Sequence, residues 1–517
     1  MKKRLLDWQE ECIRRWEANS FRGIANVVTG AGKTIMAAAA IDHLSMQLGE
    51  PIRVKIIVPK TFLMYQWHST LLEQLNVPRE DIGFYSGTYK SQAASAKFMI
   101  YVVNSARYTL ARNIVEDAKL GNKILLIADE CHHYGSSENS RIFAYLGNLP
   151  KNAEVYTLGL SATPWCKNYN EVLAPALGDE IYHFGFSSAI KADIISEFTL
   201  FNIRVNFNDD ESFEYDDLSH QLGLALFKLY EIYPGLHGKK GENFFASLEM
   251  IIRHSDDDVA SLAKTVLFLS IQRKELVYQA SNRINCVVQL IERVRKTAKI
   301  IIFGERIDSA EDIFRRLSQR WPNEIGIYHS KIPKETGKFT LRQFEDKEIR
   351  ILVSCKTLDE GLNISETDVG IIVSSTSSKR QRVQRLGRVL RKKPGGRKAS
   401  FYYLYIGGTS EEEELLKELT SSTLDRLVNR INLEFDEQLN KFTNAQYEKR
   451  VSSALEYIIK KGCTEEEMKE FIRNTELGAI TEDWLLPEDE CLLKFNAAKT
   501  KAERNYYITM LILCRCL

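Results

Sequence analysis

A short glycine-bearing loop near the start of the chain constrains its fold more than any other feature. Residues 29–34, TGAGKT, follow an apolar β-branched run and precede a helical pattern. In such a loop, backbone N–H groups around Gly30 and Gly32 can cradle phosphates at a helix N-terminus. Lys33 can then reach the β and γ phosphates, and Thr34 can ligate Mg²⁺. The sequence therefore predicts a nucleoside triphosphate site, with ATP and Mg²⁺ as its cofactors, in an α/β fold.

Short apolar runs alternate with helical patterns along most of the chain, which is typical of parallel α/β sheets whose strands are buried on both faces. The runs form two series of five, which predicts two domains of one architecture, each with a parallel sheet. The predicted strands are 24–28, 54–58, 99–103, 124–128 and 155–160, and then 300–303, 325–329, 351–354, 370–373 and 401–405.

The pattern between and after these series predicts four regions. Residues 1–207 form the first domain and 281–407 the second. Residues 208–280 begin with an acidic run and continue with amphipathic stretches, which indicates a helical insertion or linker. Gly407-Gly408 ends the second series, so we predict a helical C-terminal region over 408–517, with both sheets complete before it.

An acidic pair, Asp129 and Glu130, leaves the end of the apolar run 124–128. Carboxylates at that position face the crevice in which open α/β sheets bind ligands. We predict that Asp129 joins the Mg²⁺ shell and that Glu130 orients or activates the attacking water. His132 and His133 follow, but adjacent side chains on a turn rarely converge on one metal, so we do not predict a zinc site.

A basic stretch over 379–398 contains QRLGRVLR. On a helix, Gln384, Arg388 and Arg391 share one face, since their spacings are four and three. Two guanidinium groups on one face can act as arginine fingers on a triphosphate held by a facing domain. The alternative is that the stretch is a basic patch for nucleic acid. The phosphate loop in the other domain favours the finger interpretation.

Composition limits where and how such a chain can act. The net charge is +1, so a nucleic-acid surface must be a local groove rather than a general basic field. Nine cysteines at irregular spacing, with no CxxC pair, favour a reducing compartment over a disulfide framework. The first residues do not read as a signal peptide, and no apolar segment reaches the length of a membrane span. We expect a cytoplasmic protein.

Further segments match, in order, the motifs of one known family. Gln9 stands where that family has an adenine-reading glutamine. The other segments are 58–67 (VPKTFLMYQW), 161–163 (SAT), 301–303 (IIF), 358–363 (LDEGLN) and 384–391 (QRLGRVLR). Together they resemble the superfamily 2 DEAD/DEAH-box helicases, in particular the branch of XPB-type repair helicases and restriction-enzyme motor subunits. One departure is that XPB-type proteins carry Arg-Glu-Asp shortly after SAT, whereas this chain has PWCK at 164–167.

The resemblance implies two RecA-like domains that close over ATP, with Gly361 and Gln384 also at the nucleotide. It implies that 58–67 contacts a strand backbone and that 161–163 couples hydrolysis to movement. The expected activity is that of a DNA-dependent ATPase that translocates, unwinds or remodels, and DNA is favoured over RNA. Two alternatives stay open. One is an ATP-gated clamp that licenses a partner effector through the C-terminal helical region, and the other is an RNA or double-stranded-RNA motor.

Overall fold

The computed structural model describes residues 4–91, 96–195, 198–239, 241–294, 297–355, 367–374, 399–413, 415, 429–443, 488–499, 504 and 507. In these ranges the chain builds two β-sheets flanked by helices, together with a helical insertion. This confirms the predicted α/β class with two separate sheets. Within the described part of the chain, no helix combines the length and apolar character needed to cross a membrane.

The first sheet has seven parallel strands in the order β3-β4-β2-β5-β6-β1-β7. All five predicted strands are confirmed, and two short edge strands, β3 and β7, are added. The strands are β1 (Arg22–Val27), β2 (Ile52–Val58), β3 (Ile82–Tyr85), β4 (Phe98–Val102), β5 (Lys123–Asp129), β6 (Val155–Ser161) and β7 (Glu180–Phe184). The helices are α1 (Asp7–Ala18), α2 (Lys33–Leu48), α3 (Thr61–Leu75), α4 (Val103–Ala106), α5 (Thr109–Lys119), α6 (Ala174–Leu177) and α7 (Phe186–Lys191).

The predicted insertion is helical, as α8 (Asp209–Ile232), α9 (Gly241–His254) and α10 (Asp257–Gln279). Apolar side chains such as Leu229, Leu248 and Ala263 are buried where the three helices meet. The two ends of the insertion are tied together at its base. Asn208 Nδ2 donates to Ser281 Oγ at 3.0 Å, and the Ser281 amide donates to a Glu211 carboxylate oxygen at 2.8 Å. The insertion is therefore a small helical unit with a clasped base.

The second sheet has eight strands in the order β10-β11-β9-β12-β13-β8-β14-β15. Its pairs are parallel except for β14 with β15. The strands are β8 (Phe198–Val205), β9 (Ile300–Gly304), β10 (Ile325–Tyr328), β11 (Ile351–Cys355), β12 (Val369–Ile372), β13 (Ala399–Ile406), β14 (Asn429–Asp436) and β15 (Lys441–Thr443). The helices are α11 (Asn282–Arg293), α12 (Ile307–Arg320), α13 (Lys334–Glu345) and, later, α14 (Glu488–Ala497).

Two predicted limits are wrong. Strand β8 precedes the boundary at residue 207, yet it pairs with β13 along its whole length and so belongs to the second sheet. The predicted helical region 408–517 contains β14, which pairs with β8, so the second sheet is not complete before residue 408. In β14 the alternating residues Ile431, Leu433 and Phe435 are buried. This period of two was a strand signal that the sequence interpretation missed.

The central strand of the first sheet, β5, has no solvent face. Ile124, Leu126 and Ala128 on one side of β5, and Leu125 and Ile127 on the other, are fully buried. Burying a side chain of this size contributes roughly 1.5–3 kcal/mol. The carboxyl ends of the parallel neighbours β1, β5 and β6 lie along one edge of the first sheet and are held rigidly there.

Candidate nucleotide site

The loop between β1 and α2 has the conformation that phosphate binding needs. Gly30 and Gly32 have φ values of 89° and 98°, in the left-handed region where a Cβ would cost about 1–2 kcal/mol. Gly32 caps the N-terminus of α2 without a side-chain acceptor, and the first turn contains no acidic residue. The amides of that turn and the positive end of the helix dipole therefore face the loop. Thr34 is the second residue of α2.

Lys33 folds back over the same loop. Its side chain is buried, and Nζ donates to the Val27 carbonyl at 3.1 Å. Burial raises the pKa of Asp129, and the positive charge of Lys33 opposes that rise. A phosphate oxygen is a stronger acceptor than a neutral carbonyl, because charge-assisted hydrogen bonds are roughly twice as strong. Lys33 is thus held where it can exchange the carbonyl for a phosphate.

Gln9, the predicted adenine reader, lies against the phosphate loop. It is buried in the first turn of α1, and Nε2 donates to the Gly32 carbonyl at 3.1 Å. The amide of Leu6 donates to Gln9 Oε1 at 2.9 Å, which fixes the orientation of the side chain. The structure therefore brings Gln9, Gly32 and Lys33 together from two helices.

Asp129 ends β5 as a buried carboxylate. Trp67 Nε1, from α3, donates to one oxygen at 2.8 Å, and the Glu130 amide donates to the other at 3.0 Å. Burial raises the pKa of Asp129, and the hydrogen bond from Trp67 and the charge of Lys33 oppose that shift. The Asp129 carboxylate and the Thr34 hydroxyl offer the oxygen ligands that Mg²⁺ prefers. These residues fit the predicted cation.

Glu130 occupies an unusual backbone position. Its φ and ψ are 48° and 51°, a left-handed conformation that costs a residue with a Cβ roughly 1–2 kcal/mol. A short 3₁₀ helix, Cys131–Gly135, begins directly after it. The residue thus turns sharply out of the strand end. Strain of this kind is common where a side chain must be aimed at a reacting group.

His132 links this turn to the end of β6. Its Nδ1 lies 3.5 Å from a Glu130 carboxylate oxygen and 2.9 Å from Ser161 Oγ. Ser161 Oγ also accepts from the Thr163 amide at 3.0 Å. A movement of Glu130 can therefore shift residues 161–163, because the imidazole of His132 contacts both. His132 thus links the turn after β5 to the end of β6.

Sequence reasoning missed two neighbours of Asp129. It assigned 58–67 to strand contact and gave Trp67 no part in the nucleotide site. Tyr134 OH donates to the Asp129 carbonyl at 2.8 Å and was not singled out. Trp67 and Asp129 are 62 residues apart in the chain, so only the fold brings them together.

Four predicted site residues lie outside the described part of the chain. They are Gly361, Gln384, Arg388 and Arg391. Their assignment to the nucleotide stays a prediction.

A phosphate loop and an acidic strand end on the first of two RecA-like sheets define a P-loop motor ATPase. Comparison with known proteins narrows this class. Residues 2–165 match the family "Type III restriction enzyme, res subunit", and residues 282–393 match "Helicase conserved C-terminal domain". The chain belongs to the superfamily 2 helicases of the XPB and type III restriction kind, and it is an ATP hydrolase.

Individual relatives agree with this family. The chain is 27% identical over 390 residues to the DNA 3'-5' translocase XPB2 of Sulfurisphaera tokodaii, which covers 75% of this chain and 79% of the relative. It is 24% identical over 413 residues to the DNA 3'-5' helicase XPB of Kineococcus radiotolerans, covering 79% and 61%. The Pyrococcus furiosus Hef helicase domain superposes with a TM-score of 0.51 at 17% identity, over 80% of this chain and 98% of that domain, which shows the shared fold.

Proposed function

We propose that this protein is a DNA-dependent ATPase that moves along DNA or separates its strands. The observation that carries the proposal is the hydrogen bond between Trp67 and Asp129. Through it, the carboxylate at the nucleotide contacts α3, the helix of the segment that resembles a strand-contact motif. The two relatives described above are named as acting on DNA, which supports DNA as the nucleic acid.

ATP and Mg²⁺ are the cofactors in this proposal. Thr34 and Asp129 hold the cation, which when bound neutralises phosphate charge. Lys33 and the amides at Gly30 and Gly32 hold the phosphates, and Glu130 orients the attacking water. The adenine lies near Gln9.

The second domain completes the site when the two domains close. In the proposal, Gly361 and Gln384 reach the nucleotide, and Arg388 and Arg391 stabilise the charge that develops in the transition state. A movement of the turn that holds Glu130 shifts residues 161–163, because His132 contacts both Glu130 and Ser161. Phosphate-backbone contacts dominate strand binding, so binding is salt-sensitive and largely independent of sequence.

The test is the rate of ATP turnover with single-stranded, duplex and forked DNA and with RNA, together with strand displacement on the forked substrate. We expect DNA to raise turnover and the fork to be opened. If RNA raised the rate of ATP turnover and DNA did not, the nucleic acid in the proposal would be RNA instead of DNA. Turnover raised by DNA without movement or displacement would favour the ATP-gated clamp, with a protein partner at the C-terminal region. A cytoplasmic location is part of the proposal and rests on the cysteine pattern.

A further inference from the structure

Trp165 is an exposed aromatic side chain close to the nucleotide site. It follows β6 by four residues, at the edge that carries Asp129, and 60% of it is exposed. An exposed indole forgoes the roughly 1.5–3 kcal/mol that burial of a large apolar side chain contributes. Its exposed surface is therefore available to a bound partner.

A second ring supports the indole on one side. Tyr169 is buried and lies 4.2 Å from Trp165 between ring centroids, with the planes inclined by 39°. Tyr169 begins a π-helical turn, Tyr169–Leu173, a rare conformation that is frequent at functional sites. The indole is thus held by a fixed neighbour, and much of its surface faces solvent.

The loop that carries Trp165 is joined to the catalytic turn. A Cβ on Gly135 would lie 2.4 Å from Cys166 Sγ, so the thiol packs directly over that glycine. Asn168 Nδ2 donates to the Gly135 carbonyl at 2.7 Å. Gly135 ends the 3₁₀ helix that begins after Glu130. The position of Trp165 is therefore linked to the residue that we assign to water activation.

The same loop also contacts the helical insertion. Lys167 Nζ donates to Asn243 Oδ1, in the first turn of α9, at 2.9 Å. Trp165 thus stands at the point where the first domain meets the insertion. A nucleic-acid strand that lies on the first domain, with the insertion beside it, would therefore contact this indole.

Other exposed aromatic residues lie on the same edge. Among the described residues of the first domain, the large aromatic side chains that are most exposed follow the carboxyl ends of parallel strands, and those exposed at the opposite edge, such as Met46 and Leu120, are aliphatic. Aromatic side chains interleaved with basic ones are the usual platform for unpaired bases. The aromatic residues are Tyr65, Tyr89, Tyr108 and Trp165.

We propose that Trp165 stacks on an unpaired base of the bound DNA strand, where the first domain meets the insertion. This inference rests on the proposed function and deepens it, because it adds a base contact to a strand otherwise held by its phosphates. Stacking on an indole tolerates any base, so the contact favours unpaired over paired DNA without selecting a sequence.

The test measures the affinity of the full chain for labelled oligothymidylate of about 20 nucleotides and for an abasic strand of the same length, by fluorescence anisotropy. Trp165→Ala should weaken binding of oligothymidylate about tenfold to hundredfold, the contribution of one base–aromatic stack. It should leave abasic binding within about threefold, because that strand has no base to stack. Trp165→Phe should keep most of the affinity. Leu120→Ala, an exposed apolar residue at the opposite edge, is the matched control.

Wild-type affinity of Trp165→Ala for oligothymidylate would overturn the inference. Equal losses on the base-bearing and abasic strands would also overturn it, since they would show a contact to the backbone. The proposed function is tested separately, by the response of wild-type ATP turnover to DNA, so a failure there can be told apart from a failure of stacking.

Discussion

The indole N–H of Trp67 donates a 2.8 Å hydrogen bond to the carboxylate of Asp129, joining helix α3 to the end of the central strand β5. Both side chains are buried, so the bond is shielded from water. A movement of α3 must therefore alter the position or the charge of this carboxylate.

Trp67→Phe tests this link, because phenylalanine keeps a ring but loses the donor. Hydrogen bonds to charged groups contribute about 1.5–3 kcal/mol, so we expect DNA-stimulated turnover to fall about tenfold to hundredfold. The Mg²⁺ concentration for half-maximal turnover should rise. Trp16→Phe is the control, since Trp16 is also buried and donates to the Thr157 carbonyl at 2.8 Å, near the opposite edge. If both variants lose turnover equally, the bond is only structural.

Lys33→Ala should abolish ATP turnover, because the β and γ phosphates lose their positive partner. ATP affinity should fall as well, and equilibrium binding of a fluorescent ATP analogue would measure it. Lys119→Ala, an exposed lysine at the C-terminal end of α5, is the control. Turnover near that of the wild type in Lys33→Ala would contradict the assignment of the loop.

Glu130→Gln should bind ATP yet hydrolyse it very slowly, because the neutral amide cannot activate water as the carboxylate does. The closed state should then persist on DNA. Single-turnover kinetics separate binding from chemistry, and Glu138→Gln, an exposed carboxylate paired with Arg107, serves as the control. Turnover of Glu130→Gln within a few-fold of the wild type would show that another group activates the water.

Arg388→Ala and Arg391→Ala should each lower the maximal rate by orders of magnitude, since arginine fingers contribute roughly 10³ to 10⁵ in P-loop enzymes. ATP affinity should change much less. Lysine should not restore the rate fully, because a point charge cannot reproduce the planar guanidinium. ATP turnover is measured against DNA concentration. Recovery of the maximal rate at saturating DNA would indicate a basic strand-binding patch instead.

Glu411→Ala should destabilise the second domain by about 3–5 kcal/mol, the usual cost of leaving one member of a buried ion pair alone. Arg283 and Glu411 form such a pair, and Glu411 also accepts from the Ile406 amide at 3.0 Å. Calorimetric unfolding would measure the loss, with the exposed neighbour Glu413→Ala as the control. A chain cut after Gly408 loses both Glu411 and β14, so it should lose stability in the second domain as well.

The features that were predicted correctly are those that a short stretch of sequence determines. The phosphate loop and the ten predicted strands needed only a run of apolar residues and its flanks, and each predicted strand is present. Strand β8 was misassigned because its partner β13 lies about 200 residues later, and nothing in residues 198–205 specifies a partner. The contact of Trp67 with Asp129 was missed for the same reason. Contacts between residues far apart in sequence form only when the chain folds, so local sequence patterns do not predict them.

The clasped base of the insertion has a mechanical consequence. Strand β8 and helix α11 flank the insertion and both belong to the second domain, so α8 must turn with that domain. A helix of 24 residues is about 36 Å long. A rotation of about 10° at its base therefore moves its tip by about 6 Å, more than the roughly 3.4 Å between successive bases on one DNA strand. The insertion therefore acts as a lever, and its rotation moves Asn243 relative to Lys167 in the loop of Trp165.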